Sequence, residues 1–367
     1  MRLPAKPRVM FLADPSFGMP YPFILAGLPD AMERMGLPVV RLDTSTLTLA
    51  DFREQAAVFK PDLIFCCIQY QDQIIKTAGF LREYHPTVAT NWFTEDPNAT
   101  ICTNGSPTAL LKASKDFDIW FTINPRMTPY WRTKAVFMPP GFNDVACRDE
   151  NLPRTYDVSY VGQLGHALST DMYWPYMKTL ATFGRRAALC IERPMGLPKL
   201  PYAIERLVRH RVVRRHLRRL PIWRCSWGSA ETEASRARII SRSKIHFGLS
   251  RVRGHWEEAV LRVLPDYLLD EHGYFYQVKG RLFHAVGTAT MALNDHFPEL
   301  EEMFTIGKEI VAFQFGDIQD LRQKLEWYTK HDNERLRIAR AGYERGRKEH
   351  TLGARVNQII AAVNRLV

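Results

Sequence analysis

Short apolar runs and amphipathic segments take turns along the first 145 residues. The runs "RVMFLAD", "PVVRLDT", "PDLIFCCIQ", "TVATNWFTED", "IWFTIN" and "AVFMPPGF" have the length and composition of strands. Between them lie "YPFILAGLPDAMERMG", "LADFREQAAVFK", "DQIIKTAGFLREYH" and "TALLKASKD", which read as helices. Gly36 is placed to stop the first of these. Strands of this length separated by helical segments predict βαβ units and a parallel sheet, whose ligands collect at the carboxyl ends of the strands.

A polar stretch, "NDVACRDENLPRT", follows Pro139 and Pro140 and reads as a linker. Then the alternation restarts. "YDVSYVGQ" and "RAALCIE" are strands around the helix "DMYWPYMKTLATFG". The helix "ETEASRARIISRS", the strand "KIHFGLS", a polar loop from Arg251 to Gly273, and the strands "TMALND" and "EIVAFQ" follow, with two helices after them. A chain of 367 residues is too long for one ordinary core and suits two domains of about 150 to 180 residues. The expected division is 1–145 and 146–352, with residues 353–367 as a final helix. Two similar α/β halves make a cleft, the default ligand site.

Composition narrows the class. At 46% hydrophobic and 24% charged, the chain has the make-up of a globular protein, and no apolar run approaches the roughly 20 residues that cross a bilayer. The apolar run near the N-terminus, "VMFLA", is too short for the core of a signal peptide and reads as a first strand, so a cytoplasmic protein is expected. The six cysteines show no CxxC spacing and read as reduced, mostly buried thiols. The net charge of +11 is largely local, because "RLVRHRVVRRHLRR" (206–219) carries seven arginines and no acid.

The chemistry concentrates in "KGRLFHAVGTATMALND", residues 279–295. A helix N-terminus offers unpaired N–H groups and a positive dipole end that favour phosphate. Lys279 and Arg281 add formal charge there. Gly287, Thr288 and Ala289 are small enough for a ligand or a sheet to come close. On the residues alone, the pair is either a phosphate site or a solvated helix end.

From "DVSYVG" onward the chain resembles the C-terminal half of CgeB-like glycosyltransferases. The resemblance runs through "SKIHFGLS", "KGRLFHAVGTATMALNDHFPELEEMFTIGKEIVAF", "DLRQKLEWYTKHDNERLRIARAGYERGRKEHT" and "RVNQII", and is strongest over residues 156–360. The N-terminal half resembles the family mainly through "NWFTEDP". The resemblance implies an α/β chain of the GT-B fold: two Rossmann-like domains with parallel sheets facing a central cleft. The first would take the acceptor and the second the nucleotide-sugar, and the last helix, from about Gly353, would cross back to the first domain. It implies a hexosyltransferase acting from a nucleotide-sugar donor, with no cofactor and no metal. The acceptor would be a glycan, a lipid-linked glycan or a protein of a bacterial envelope, spore or surface pathway.

Carried onto this chain, the resemblance puts Lys279 and Arg281 at the donor diphosphate and His284 at the nucleoside. Gly162 and Gln163 would face the diphosphate, and Ser250 and Thr288 would line the same donor site. Relatives have glutamate where this chain has His284. A neutral histidine offers one acceptor nitrogen and changes charge near pH 7, so ribose binding would be weaker, pH-sensitive or handled elsewhere.

Asp96, in "NWFTEDPN", and Asp14, in "FLADPSFG", end strands of the acceptor half and are candidates to orient or deprotonate the acceptor. The alternative role for either is to order a turn, as Asp96 would before Pro97. Asp116-Phe117-Asp118 matches a metal-binding DxD but precedes a strand rather than following one, which reads as a helix–strand corner. No GxGxxG follows the first strand and no GxxxxGK[ST] occurs, which argues against dinucleotide oxidoreductases and P-loop NTPases.

The basic segment has three readings: a helix on an anionic membrane or acceptor, with Arg211, Arg214, Arg215 and Arg218 outward; a helix packed on its own domain; or a nucleic-acid contact. A non-catalytic GT-B protein that binds nucleotides or glycans, and a nucleic-acid glucosyltransferase, stay open as rival functions.

Overall fold

The computed structural model of the chain describes residues 2–15, 21–95, 107–163, 170–192, 232–252, 270 and 273–366. The chain divides into two compact units. One comprises Met1–Asn143, Gly254–Val278 and His350–Val367; the other comprises Asp144–Arg253 and Lys279–Glu349.

In the first unit, strands β1 (Val9–Ala13), β2 (Val39–Asp43), β3 (Leu63–Cys67), β4 (Ala89–Phe93), β5 (Ile119–Thr122) and β6 (Lys134–Phe137) alternate with helices α1 (Tyr21–Arg34), α2 (Leu49–Phe59), α3 (Gln71–Glu83) and α4 (Pro107–Ala113). Among the described residues they form one parallel sheet in the order β2-β1-β3-β4-β5-β6. Every residue of β1, β3, β4 and β5 is buried. This is why β1 and β3 read as continuous apolar runs rather than as alternating ones: helices cover both faces of a parallel sheet. Aromatic rings fill the space beside β4 and β5, with Trp120 and Trp131 4.5 Å apart at their centroids. The buried Trp92 indole donates to Met138 O at 3.1 Å. The start of α2 is fixed by a capping box, in which Thr48 Oγ1 accepts from the Asp51 N–H while the Asp51 carboxylate accepts from the Thr48 N–H.

In the second unit the order of elements repeats: β7 (Tyr156–Gln163), α5 (Thr170–Ala181), β8 (Ala187–Glu192), α6 (Glu233–Ser241) and β9 (Ser243–Gly248). The two-residue strand β10 (Arg251–Val252) follows, while β11 (Phe275–Tyr276) belongs to the first unit. Then come α7 (Gly280–Gly287), β12 (Met291–Asp295), α8 (Leu300–Met303), β13 (Val311–Phe313), α9 (Ile318–Lys330) and α10 (Asp332–Glu349). The sheet is parallel, in the order β13-β12-β9-β7-β8. Tyr160, Tyr173, Tyr176, Phe247 and Phe313 pack ring to ring against it.

Helix α11 (Leu352–Asn364) belongs to the first unit, where it packs against α1. It buries Leu352, Val356, Ile359, Ala362 and Val363. Its one buried cation, Arg355, donates to Pro139 O at 2.7 Å and Pro140 O at 3.1 Å.

Two features differ from the sequence reading. The stretch read as a linker is tied into the second unit: Cys147 is fully buried, and Arg154 donates to the carbonyls of Ser241 and Ala289 and to Thr290 Oγ1. The stretch that ends the polar loop and follows it, up to Val278, joins the first unit instead of the second. There Gln277 Nε2 donates to Glu95 Oε2 at 2.6 Å, and Arg126 lies 4.3 Å from the Tyr276 ring centroid.

Candidate functional site

In both sheets the strand order reverses once, between β1 and β3 and between β7 and β9. Ligands of open parallel sheets collect outside the carboxyl ends at such a point, because the flanking crossovers leave in opposite directions. In the second unit the reversal is bounded by Gly162, near the end of β7, and by Gly248 to Ser250 at the end of β9.

The residue that occupies this point is Arg281, in the first turn of α7, behind Lys279 at the N-cap. Arg281 Nη1 donates to the Tyr160 hydroxyl at 2.5 Å, and its guanidinium lies 4.8 Å from that ring's centroid. Gly162 has φ +145°, a region that L side chains rarely adopt, and a Cβ there would sit 3.3 Å from Arg281 Nη2. A Cβ on Gly248 would collide with Asn294 Oδ1. The two glycines thus let the guanidinium and the end of β12 come up against bare backbone. Burial works against the Arg281 charge, but Tyr160, Tyr173 and Asp295 outweigh it and raise the pKa above its ordinary value. Arg281 is a cation at any working pH.

Arg236, on α6, is the second cation here, and it is 4% exposed. Burial, and then the charge of Arg281, pull its pKa down to about 10, so it remains charged near pH 7. Two guanidinium groups that repel one another in a water-poor setting create a positive potential that a bound phosphate would relieve.

A buried network braces the strand ends. The Ser250 N–H donates to Asp295 Oδ1 at 2.7 Å, Arg251 Nη1 donates to Asp295 Oδ2 at 2.8 Å, and Asn294 Nδ2 donates to Ser250 Oγ at 3.1 Å. Burial pushes the Asp295 carboxyl up, against the pull of Arg251 and the Ser250 N–H. Beneath it, His246 Nδ1 is 2.9 Å from Ser159 Oγ. Burial, with the nearby charge of Arg281, depresses the His246 pKa to about 3, so its ring is neutral in the folded protein.

The sequence candidates divide accordingly. Gly162 and Arg281 meet, Lys279 caps the same helix end, and Gln163 closes β7 in register with Glu192. Ser250 is fully buried within the bracing network. Thr288 stands apart. It lies at the other end of α7, about 10 Å along the axis from Arg281, and its hydroxyl donates to the His284 and Ala285 carbonyls. His284 is 7% exposed, with Nε2 3.5 Å from Glu233 Oε1. Asp14, at the end of β1, is 1% exposed. Asp96 and Arg211, Arg214, Arg215 and Arg218 lie outside the described residues.

The Asp116-Phe117-Asp118 pair is structural. Asp116 Oδ2 accepts from Arg82 at 2.7 Å, and Asp118 Oδ2 accepts from the Ala89 N–H at 2.7 Å. Arg236 escaped the sequence reading, although a signal existed. With Glu233 it falls in helical phase with Ala237 and Ile240, so two charged residues sit on the face that α6 buries.

Residues 205–361 match the family model described as "Glycosyl transferase-like". A search of curated protein sequences gives no significant match. Solved structures match over nearly the whole chain. Sucrose-phosphate synthase from Thermosynechococcus elongatus is similar at 11% identity and TM-score 0.64, over 98% of this chain and all of that one. Anabaena HepE in complex with UDP-glucose is similar at 11% identity and TM-score 0.62, with the same coverage. An alpha-glucosyltransferase in complex with UDP and a mismatched DNA 13-mer is similar at 12% identity and TM-score 0.61, again with that coverage. The fold is therefore GT-B, with two parallel-sheet α/β domains.

Proposed function

We propose that the chain is a glycosyltransferase that takes its sugar from a nucleoside diphosphate donor held by the second unit. The observation that carries this reading is the pairing of Arg281, pressed onto Gly162 at the strand-order reversal, with the buried Arg236 on α6. The family match over 205–361 and the UDP-bound neighbours support it and favour a uridine nucleotide.

In this reading Arg281, Arg236 and the N-terminal N–H groups of α7 stabilise the charge that develops on the departing diphosphate. Such fixed donors act most strongly where water is excluded and no reorganisation is needed. Lys279 adds a further positive charge at the helix end. In this reading the leaving group is stabilised by these protein charges without a metal ion. In the first unit, Asp14 and Asp96 are the carboxylates assigned to the acceptor hydroxyl. The finer resemblance, to CgeB-like enzymes, favours a glycan, lipid-linked glycan or protein acceptor, and the basic segment 206–219 would keep the enzyme at an anionic membrane surface.

The test is thermal stabilisation by a panel of nucleoside diphosphates and nucleotide-sugars, with wild type beside Arg281→Ala and Arg236→Ala. A ligand at 100 times its Kd adds about 2.7 kcal/mol of stability. Each lost charge-assisted hydrogen bond costs about 1.5–3 kcal/mol, so each variant should bind roughly 10- to 100-fold more weakly. If no nucleotide stabilises the wild type, or the variants bind as well as it does, the donor reading falls. Binding without sugar release or transfer would leave a non-catalytic nucleotide-binding protein.

A further inference from the structure

Three side chains that the phosphate site does not use converge within the second unit. Cys147 comes from the stretch before β7, Glu233 is the first residue of α6, and His284 lies in α7. Each offers one ligand atom, and the three atoms lie within 4.8 Å of one another. Glu233 Oε1 is 3.5 Å from His284 Nε2 and 4.0 Å from Cys147 Sγ. Cys147 is fully buried, and His284 and Glu233 are 7% and 9% exposed.

We propose that Cys147, Glu233 and His284 bind one divalent ion of the zinc class. Around a tetrahedral ion with bonds of about 2.0–2.3 Å, ligand atoms stand roughly 3.3–3.5 Å apart. The carboxylate–imidazole separation already matches. All three atoms lie within 4.8 Å of one another, so the longest separation has about 1 Å to close on binding. The donor set also selects the ion. A thiolate with an imidazole suits zinc, cobalt or ferrous iron, whereas magnesium and calcium take oxygen ligands.

Charge supports the same choice. A thiolate and a carboxylate together cancel a divalent cation, and the imidazole is neutral. The loaded site is thus uncharged, as a buried position beside two arginines requires. Binding forms a metal–sulfur bond, breaks the Cys147 S–H bond and releases that proton to solvent. No electron is transferred. Three protein ligands leave a fourth position for water.

The placement gives the ion a consequence. Glu233 stands one turn before Arg236 on α6, and His284 one turn after Arg281 on α7, and these helices pack together. Residues three apart share a helix face. An ion clamped between Glu233 and His284 therefore fixes the spacing of the two arginines. Metal binding does not depend on the donor reading; only this coupling does.

The test starts with the full chain, purified without chelator and analysed for metals by mass spectrometry, then stripped and refilled with Co²⁺. One zinc or iron per chain is expected, together with a thiolate-to-cobalt charge-transfer band. Cys147→Ser should abolish that band and Cys190→Ser should retain it. Glu233→Gln should weaken metal binding by more than the roughly 10- to 100-fold that outer-shell changes cost. The proposal is overturned if the wild type holds no stoichiometric metal after exposure to Zn²⁺ and Co²⁺, or if the band survives in Cys147→Ser. Metal content is read without nucleotide, so failure of the donor site leaves this result intact. Weaker UDP binding by the stripped chain would establish the coupling, and equal binding would sink it.

Discussion

Single side chains at the second unit's strand ends are held by what lies beside them. Tyr160 supports one side of the Arg281 guanidinium, and Gly162 supplies bare backbone on the other. Gly162→Ala forces an alanine to φ +145°, which costs about 1–3 kcal/mol, and crowds Nη2. The expected result, measured by titration calorimetry, is a folded protein whose affinity for a nucleoside diphosphate drops about tenfold or more. Unchanged affinity would remove Arg281 from the site. His246 makes a different prediction. Folded, it titrates near about 3, and unfolded near 6.5. Below pH 6.5 only the unfolded chain takes up this proton, so stability falls as the pH drops from about 6.5 towards 3. Between pH 7 and pH 5 the loss is about 2 kcal/mol. Urea midpoints at the two pH values should differ less in His246→Asn. Equal slopes in both proteins would assign the acid sensitivity to other groups.

At the scale of elements, the strands of the two large sheets were readable because the apolar runs had strand length and helix stops such as Gly36 were in place, whereas the two-residue strands β10 and β11 were not. Orientation was less readable. Helix α6 carries arginines at 236 and 238, and the sequence treats them alike. Packing buries Arg236 and exposes Arg238, because the phase of Ala237 and Ile240 decides which side meets the sheet. The stretch before β7 read as a linker because its polar residues dominate its composition, yet Arg154 satisfies four carbonyl or hydroxyl groups of its unit. Conversely, the Asp116–Asp118 corner was readable, since a metal-binding pair belongs after a strand and not before one. Helix α10 adds a packing test. A Cβ on Gly342 would collide with the Glu309 carbonyl oxygen and meet Val286 Cγ1 at 3.5 Å. Gly342→Ala should therefore destabilise by about 1–3 kcal/mol, seen as a lower urea midpoint. An unchanged midpoint would mean that α10 moves aside without strain.

Across the whole molecule, the first unit is assembled from distant parts of the chain. The Leu3 N–H donates to Asn364 Oδ1 at 2.8 Å, and Leu352 packs where Gly27 leaves room on α1. Composition could not show this, because α11 reads as an ordinary amphipathic helix whose partner is not encoded nearby. Four large apolar side chains of α11, Leu352, Val356, Ile359 and Val363, are at most 1% exposed. At about 1.5–3 kcal/mol each, their burial rivals the 5–15 kcal/mol that stabilises a typical domain. Ending the chain at Glu349 should leave the first unit unfolded while the second still melts cooperatively, which calorimetry would resolve as the loss of one transition. Two intact transitions would show that α11 is dispensable. The same arrangement sets the order of events on the ribosome. The unit that is begun first lacks α11 until residues 350–367 have been made, whereas every part of the second unit precedes that helix in the chain. The half encoded second is thus the half that can close first, and the N-terminal strands must be kept from aggregating throughout that wait.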